Sequence, residues 1–162
     1  MENDSRVRLL DAALQLLGRF GAARLTVRAV ENEAGLPHGS VRHHFGHRQA
    51  MVAELFGHLA GRDGPPVEAG IAGAFAHWLG PGRNLTLARY ELFLMAARDP
   101  ALRPPLVQAR DRFVATAATM VGPASAASVV AALDGLVLDA VVRGGFESDR
   151  LRAAIAHITA MV

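Results

Sequence analysis

The sequence contains no cysteine and no lysine, and only 6% of its 162 residues are aromatic. Without cysteine the chain has no disulfide framework, no thiolate nucleophile and no cysteine-based zinc site. All 17 basic residues are arginine, and they leave a net charge of only +2. So small an excess does not by itself indicate a nucleic-acid partner, and any such argument must rest on where the arginines lie.

Long hydrophobic runs are also missing. No uninterrupted apolar stretch reaches the ~18 residues that a membrane-spanning helix needs. The first residues, MENDSRVR, place acidic groups before the first arginine and lack the apolar core of a signal peptide. These absences predict a cytoplasmic protein that does not bind a membrane.

Hydrophobic residues make up 51% of the chain, and alanine and leucine dominate them. This composition favours packed helices over sheets. Clusters rich in Gly and Pro divide the chain into nine predicted helices, with no convincing strand between them. We therefore predict an all-α fold.

The stretch that organises the chain runs from Leu25 to Phe45 and reads as two short helices joined by a tight turn. Thr26 can cap the first helix with its hydroxyl. Gly35 lies where that helix would end in a left-handed residue, and Pro37 lies near the first turn of the second helix. The second helix has apolar residues on one face and polar residues on the other. A helix held by its back in this way suits a DNA major groove, so we interpret the stretch as a helix-turn-helix.

The same stretch carries a family resemblance. The joint pattern consists of a Phe20-Gly21 turn after an Arg-rich apolar helix, then Leu25-Thr26-Val27-Arg28, Ala34-Gly35-Leu36 and Gly39-Ser40-Val41. In this pattern the chain resembles the TetR/AcrR family of one-component bacterial transcription regulators. The match is continuous over roughly the first 55 residues, and the later helices fit the looser second half of the family.

The resemblance implies a three-helix, helix-turn-helix DNA-binding domain at residues 1–47 and a helical effector-binding and dimerisation domain at residues 48–162. Two residues depart from the family pattern. Arg42 stands where the family usually has a tyrosine on a backbone phosphate, which suggests a changed DNA contact. Glu31 stands where a small alanine usually packs between the two helices, so its carboxylate must be paired or turned to solvent.

The candidate DNA-binding residues are polar groups in or beside these helices: Thr26, Arg28, His38, Gly39, Ser40, Arg42, His43 and Arg48. Arginines there should contact phosphates or, for Arg42, a guanine edge, where a bidentate pair discriminates by ~1–3 kcal/mol. Thr26 and Ser40 lie at helix N-termini, where amides and the helix dipole favour phosphate. The alternative is that all these residues are ordinary solvated groups on a small helical hairpin.

Four histidines, His38, His43, His44 and His47, raise the hypothesis of a metal site. His43 and His47 have i, i+4 spacing, but Gly46 lies between them and no carboxylate has a ligand spacing, so we predict no metal and no cofactor. A histidine at the groove gains positive charge as the pH falls toward ~6. We therefore expect firmer operator binding at ~pH 6 than at ~pH 8, and equal affinities at fixed salt would contradict this.

The second half of the chain has the apolar content of an effector pocket, which the resemblance places in the helices after the DNA-binding domain. The candidate ligand-binding residues are Phe75, His77, Trp78, Arg89, Tyr90, Phe93, Phe113 and Asp134. The alternative is plain core packing, which is usual for aromatic residues at helical spacing. Arg89 is the most informative, because a charge on a buried helix needs a partner. Asp134 or Glu91 can supply it, or an anionic ligand can.

The last two helices are predicted to form a dimer surface, because they carry an apolar seam beside small residues. The seam consists of Val130, Leu133, Val137, Val141, Leu151, Ala154, Ile155 and Ile158. Two such helices from each subunit would form a four-helix bundle, as the resemblance implies. The dimer would hold two recognition helices about one helical turn (~34 Å) or a multiple apart, as a palindrome requires. The alternative is that the seam closes the core of a single subunit.

These observations predict a ligand-responsive transcriptional regulator. We expect a repressor that binds a palindromic double-stranded DNA operator as a homodimer and is released by a small-molecule effector. The first alternative is a helical small-molecule-binding protein whose helix-turn-helix no longer reads DNA, which Arg42 and Glu31 keep open. The second is an enzyme, but the sequence offers no nucleophile–base pair, phosphate-cradling Gly loop or metal-ligand set, so no catalytic residue is predicted.

Overall fold

The computed structural model describes residues 2–64, 70–145, 153–154 and 156–158. Within these ranges the chain is helical without strands, which confirms the all-α prediction. The helices with defined bounds are α1 (Glu2–Phe20), α2 (Val27–Glu33), α3 (Ser40–Phe45), α4 (Arg48–Ala60), α5 (Gly70–Leu79), α6 (Arg83–Arg98), α7 (Arg103–Val121) and α8 (Pro123–Arg143). Residues 153–154 and 156–158 are also helical, within the ninth helix that the sequence predicts.

Most helix ends lie at the predicted breakers. Gly35, at φ +62°, follows the C-cap of α2, and Gly144, at φ +80°, closes α8; both adopt the left-handed conformation that glycine enters at little cost. The start of α3 differs from the prediction. The helix begins at Ser40 rather than near Pro37, because the Pro37 carbonyl accepts a turn hydrogen bond from the Ser40 amide at 3.2 Å.

Two compact units make up the chain. The first unit comprises residues 1–63 and 83–109, and the second comprises residues 64–82 and 110–162. The boundary predicted between residues 47 and 48 is not a boundary of these compact units. It was drawn by function, with DNA reading before it and effector binding after it. It therefore stays a prediction about function.

The core of the first unit is built around α1, which packs against α2, α4 and α6. Its fully buried side chains include Leu9, Leu14, Leu17, Met51, Leu55 and Leu92. Helix α6 comes so close to α1 that a Cβ added at Gly18 would lie 2.1 Å from the carbonyl oxygen of Asn84. The helix-turn-helix segment shares this apolar core, because α2 packs against α1 and α3 packs against α4.

In the second unit α5 packs against α8. This packing corrects part of the predicted dimer seam: Val130, Leu133 and Val137 retain at most 8% of their surface and are buried inside the unit. The period of 3.6 residues identifies an apolar stripe on α8 but cannot say whether the stripe faces the subunit's own core. The alternative, that the seam closes that core, is correct for these three residues.

The remaining members of the seam have mixed placements. Val141 and Ala154 are half-buried, and Ile158 is buried at 4% exposure. Leu151 and Ile155 lie outside the described residues. The structure therefore supports no surface made of all eight predicted residues.

Helix α8 also corrects the expectation that no segment is long and apolar enough to span a membrane. Its most apolar 18-residue window has a mean hydropathy of 1.8. By length and composition alone, the helix could therefore cross a membrane. The prediction considered only uninterrupted apolar runs and so did not register this window. Core helices of water-soluble proteins meet the same criteria, and 33% of the window is buried inside the chain.

Candidate DNA-binding surface and effector-binding residues

The helix-turn-helix begins with the predicted N-cap. The hydroxyl oxygen of Thr26 accepts a hydrogen bond from the amide of Ala29 at 3.2 Å, which satisfies one of the orphan donors that open α2. Val30 of α2 is fully buried, and Val41 and Phe45 hold the back of α3 in the same core. The opposite face of α3 is exposed to solvent at Arg42 and His43.

The predicted DNA-binding residues are all at least partly accessible to solvent. Thr26, Arg28, His38, Gly39, Arg42, His43 and Arg48 are exposed, and Ser40 is half-buried. Arg42 and His43 are successive residues in the middle of α3, where side chains reach base edges in a helix-turn-helix complex. The structure thus leaves these polar groups accessible, as a DNA contact requires.

The amides that open α3 are engaged within the protein, which corrects the expectation that they would receive a phosphate. The amides of Gly39 and Val41 both donate to Glu31 Oε1 at 3.0 Å. The hydroxyl of Ser40 donates to the Pro37 carbonyl at 2.6 Å, so its proton is also committed. A phosphate therefore cannot bind the amides of Gly39 and Val41 without displacing Glu31.

The sequence left open whether the Glu31 carboxylate is paired or turned to solvent. The structure shows that it is paired. The residue is 2% exposed, and its Oε2 lies 3.3 Å from Nδ1 of His38. Burial alone raises the pKa of the Glu31 carboxyl, but hydrogen bonds from the Val41 amide, the His38 ring and the Gly39 amide outweigh it and lower the pKa below its ordinary 4.5. The buried side chain therefore favours the ionised form.

Two arginines donate hydrogen bonds to main-chain carbonyls near the two ends of the helix-turn-helix segment. Arg6 of α1 donates to the carbonyl of His44 at 2.7 Å, and its guanidinium lies 4.7 Å from the ring centroid of Phe45. Arg48 donates through Nε to the carbonyl of Leu25 at 2.8 Å, so part of this predicted DNA contact already serves the fold. Sequence reasoning missed Arg6, because nothing in its neighbourhood reveals a partner 38 residues away.

The four histidines do not share one element: His38 precedes α3, His43 and His44 lie in it, and His47 follows it. Gly46, at φ +77°, ends α3, and His47 lies beyond it as the N-cap of α4. The Nδ1 atom of His47 accepts from the amide of Ala50 at 3.2 Å. His43 and His47 therefore do not share a helix face, and their i, i+4 spacing does not form a ligand pair.

The predicted effector residues fall into two sets, one in each compact unit. In the second unit Trp78 lies between Phe75 and Phe113, with ring centroids 6.3 Å and 6.1 Å away. His77 is half-buried on the same helix, α5, as Phe75 and Trp78. Asp134 accepts a hydrogen bond from Arg110 at 2.6 Å, in an ion pair within the unit. We call Phe75, Trp78 and Phe113 the aromatic cluster.

The other set lies on α6 in the first unit. Tyr90 and Phe93 stack edge to face at 6.1 Å. Arg89, which is 9% exposed, forms an ion pair with Asp63, which is 6% exposed. The sequence did not suggest Asp63 as a partner. Asp134 pairs with Arg110 within the second unit, and Glu91 accepts from the amide of Ala22 at 3.1 Å. Arg89 therefore needs no anionic ligand to offset its charge.

Comparisons with known proteins bear on what this arrangement does. A family profile described as "Bacterial regulatory proteins, tetR family" matches residues 9–55. A second, described as "Tetracyclin repressor-like, C-terminal domain", matches residues 62–161, which is more than half of the chain. A search of curated proteins gave no match.

Several solved structures are similar over nearly their whole length. The multidrug binding protein EbrR complexed with proflavin is 27% identical, with a TM-score of 0.70, covering 98% of this chain and 99% of that chain. EbrR complexed with ethidium is also 27% identical, with a TM-score of 0.75 over 95% of this chain and 98% of that chain. A member of the TetR family from Streptomyces coelicolor A3, SCO1917, is 27% identical, with a TM-score of 0.76 over 95% and 97%.

The geometry and the comparisons agree. Helix α3 is held by its apolar back beside α2 and presents polar side chains outward. Both family profiles match in the order that a DNA-binding segment followed by a helical regulatory domain requires. The chain therefore belongs to the tetR family of bacterial regulatory proteins and is a transcription regulator rather than an enzyme.

Proposed function

We propose that the protein is a cytoplasmic repressor that binds a palindromic operator as a homodimer and is released by a small-molecule effector. The observation that carries the proposal is the outer face of α3. Val41 and Phe45 fix the helix from behind, while Arg42 and His43 remain exposed at its centre. An α-helix presented in this way fits the width of the major groove.

The exposed arginines support two kinds of DNA contact. Arg42 lies on the outer face of α3, where a guanidinium can donate two hydrogen bonds to a guanine edge. Arg28 and Arg48 lie on α2 and at the start of α4, beside the recognition helix in sequence, where phosphate contacts would set its register. We therefore assign sequence preference to Arg42 and salt-dependent affinity to Arg28 and Arg48.

The outer face of α8 supports the proposal of a homodimer. Ala131, Gly135, Leu138 and Val142 recur along this face and are exposed, with Leu138 at 44% and Val142 at 76% of their free surface. Small residues followed by large apolar ones let two helices approach closely and then exclude water. This face replaces the buried part of the predicted seam as the dimer surface that we propose.

The effector that we propose is a planar aromatic compound held in the second unit. Phe75 and Trp78 are buried at 0% and 3% exposure and Phe113 is half-buried, so such a molecule would have to separate the packed rings of the aromatic cluster. Ring contacts with the ligand would then replace contacts among these rings. EbrR, at 27% identity, has been solved with proflavin and with ethidium, which are planar aromatic compounds. Trp78 is the chain's single tryptophan, so its fluorescence reports on this cluster without interference.

The test is a mobility shift of the purified protein on the DNA upstream of its own gene, with scrambled DNA as the control. We expect a specific shift at dimer stoichiometry. Ethidium and proflavin also intercalate into DNA, so their binding is first measured on the DNA-free protein, where Trp78 fluorescence should fall. The DNA should then be released at the same dye concentrations, while an unrelated repressor stays bound to its own operator. A shift that does not distinguish the two DNAs at any salt concentration would contradict operator reading at this site.

The alternative of a ligand-binding protein that no longer reads DNA is supported by the uncommon Arg42. Quenching of Trp78 by the dyes, with no preference for upstream DNA over scrambled DNA, would favour this alternative. A substitution that disables DNA binding while dye quenching persists would instead favour the regulator.

A further inference from the structure

The recognition helix α3 is too short to hold itself in place. It contains six residues, Ser40 to Phe45, and so has little internal hydrogen bonding to offset the entropy of forming it. The first amides and the last carbonyls of any helix also lack partners within the helix. The geometry of α3 must therefore be set by groups outside it.

Two such groups come from other helices. At the N-terminal end, Glu31 of α2 accepts from the amides of Gly39 and Val41 through a single carboxylate oxygen. At the C-terminal end, Arg6 of α1 donates to the carbonyl of His44. Of the two, Glu31 makes the more direct link, because its bonds join the two helices of the helix-turn-helix to one another.

We propose that Glu31 is the positioning residue of the recognition helix, which fixes the orientation of α3 relative to α2 before DNA is bound. This inference rests on the proposed function, that α3 reads an operator. At 2% exposure Glu31 cannot itself contact DNA, and its negative charge would repel a phosphate. Its effect on DNA binding is therefore exerted through the backbone of α3. The amides of Gly39 and Val41, which donate to Glu31, are then not available to a phosphate.

The charged groups bonded to this turn are few among the described residues. His38 lies against Glu31 Oε2, with 63% of its side chain exposed. Arg8 of α1 donates to the carbonyls of Ala34, at 2.6 Å, and Gly35, at 3.4 Å. Hydrogen bonds to an ionised acceptor are roughly twice as strong as those between neutral groups, so the charge of Glu31 matters as well as its shape.

The first test compares Glu31→Ala and Glu31→Gln with Glu33→Gln. Glu33 lies on the same helix and pairs with the exposed Arg19 instead of α3, so its variant removes an equal charge. We expect Glu31→Ala to weaken specific operator binding by about tenfold or more, because it leaves two amides without their acceptor. Glu31→Gln, which retains a neutral acceptor, should lie between Glu31→Ala and the wild type, and Glu33→Gln should match the wild type.

A salt series separates positioning from direct contact. A residue that contacts a phosphate changes the slope of log affinity against log salt when it is removed, by about one per contact. Because Glu31 touches no phosphate, its variants should lose affinity at every salt concentration with an unchanged slope. Either Glu31 variant binding as tightly as Glu33→Gln, or more tightly, would overturn the proposal, since the carboxylate would then act only as a repelling charge.

A second test needs no DNA. Amide hydrogen exchange, measured by NMR, should be slow at Gly39 and Val41 in the wild type and in Glu33→Gln, and fast in Glu31→Ala. Slow exchange at the buried core residues Met51 and Val52 would show that the variant is still folded. Unchanged protection at Gly39 and Val41 would overturn the proposal even if the wild type bound no operator, so its failure is distinguishable from failure of the proposed function.

Discussion

At the scale of single residues, the first unit is held by charged side chains that bond main-chain atoms of distant elements. These residues are Arg6, Arg8, Glu31, Arg48 and Glu91. Short helices and turns leave many amides and carbonyls without partners in their own element, and ionised groups satisfy them strongly. Three arginines, Arg6, Arg8 and Arg48, therefore serve the fold, and for Arg48 this is in addition to the DNA contact that we propose.

The ionised state of Glu31 should make the stability of the fold depend on pH. Because the pKa of Glu31 is lowered from its ordinary 4.5 by its hydrogen bonds, the contribution is fully present above that value and is lost as the pH falls through the lowered pKa. We expect the stability difference between wild type and Glu31→Gln, measured by urea unfolding, to shrink below about pH 4.5. A difference that stays constant down to about pH 3 would contradict this.

The buried ion pair of Asp63 and Arg89 should affect the free energy of unfolding more than an exposed ion pair does. Asp63→Ala removes a buried carboxylate that pairs with Arg89 and should lower the free energy of unfolding by about 3 kcal/mol or more. Glu33→Ala, which breaks an exposed pair with Arg19, is the control and should change little. Equal unfolding midpoints for the two variants in urea would show that the Asp63 pair adds nothing to stability.

At the scale of elements, α8 has two apolar faces with different roles. One face, with Val130 and Val137, closes the core of the second unit. The other, with Leu138 and Val142, is exposed in a single chain, and we propose that it meets a second copy. An element that is apolar on both faces explains why α8 also resembles a membrane-spanning helix in composition.

The proposed dimer face can be tested by a charge placed on it. Leu138→Glu combined with Val142→Glu should convert the protein to a monomer in sedimentation experiments, because a dimer would bury the new carboxylates without partners. Leu94→Glu, a similarly exposed position on α6 at 50%, should leave the dimer intact. A double variant that still sediments as a dimer would mean that another surface joins the subunits.

What the sequence reveals about these elements depends on how local the cause is. The capping by Thr26, the left-handed Gly35 and the ends of α7 were predictable, because each depends on residues within one turn. The partners of Glu31 and Arg89 were not, because they are set by contacts between elements that periodicity does not specify. The sequence predicted that Glu31 is either paired or exposed, and the contact between α2 and the start of α3 decides that it is paired.

At the scale of the whole molecule, the predicted sites are distributed between the two compact units. All eight predicted DNA-binding residues lie in the first unit, and the aromatic cluster lies in the second. The chain's net charge of +2 is too small to attract DNA strongly on its own. The operator binding that we propose must therefore depend on a few well-placed side chains on α3, of which Arg42 is the first to test.

The most direct test of the account is a mobility shift on the upstream DNA across a salt series, comparing wild type with Arg42→Ala and Arg112→Ala. Arg112 is exposed on α7 in the second unit, so its variant removes the same charge away from α3. We predict that Arg42→Ala loses about tenfold or more in specific affinity at every salt concentration, while Arg112→Ala matches the wild type. Equal binding by all three proteins would contradict the claim that this protein reads DNA through α3.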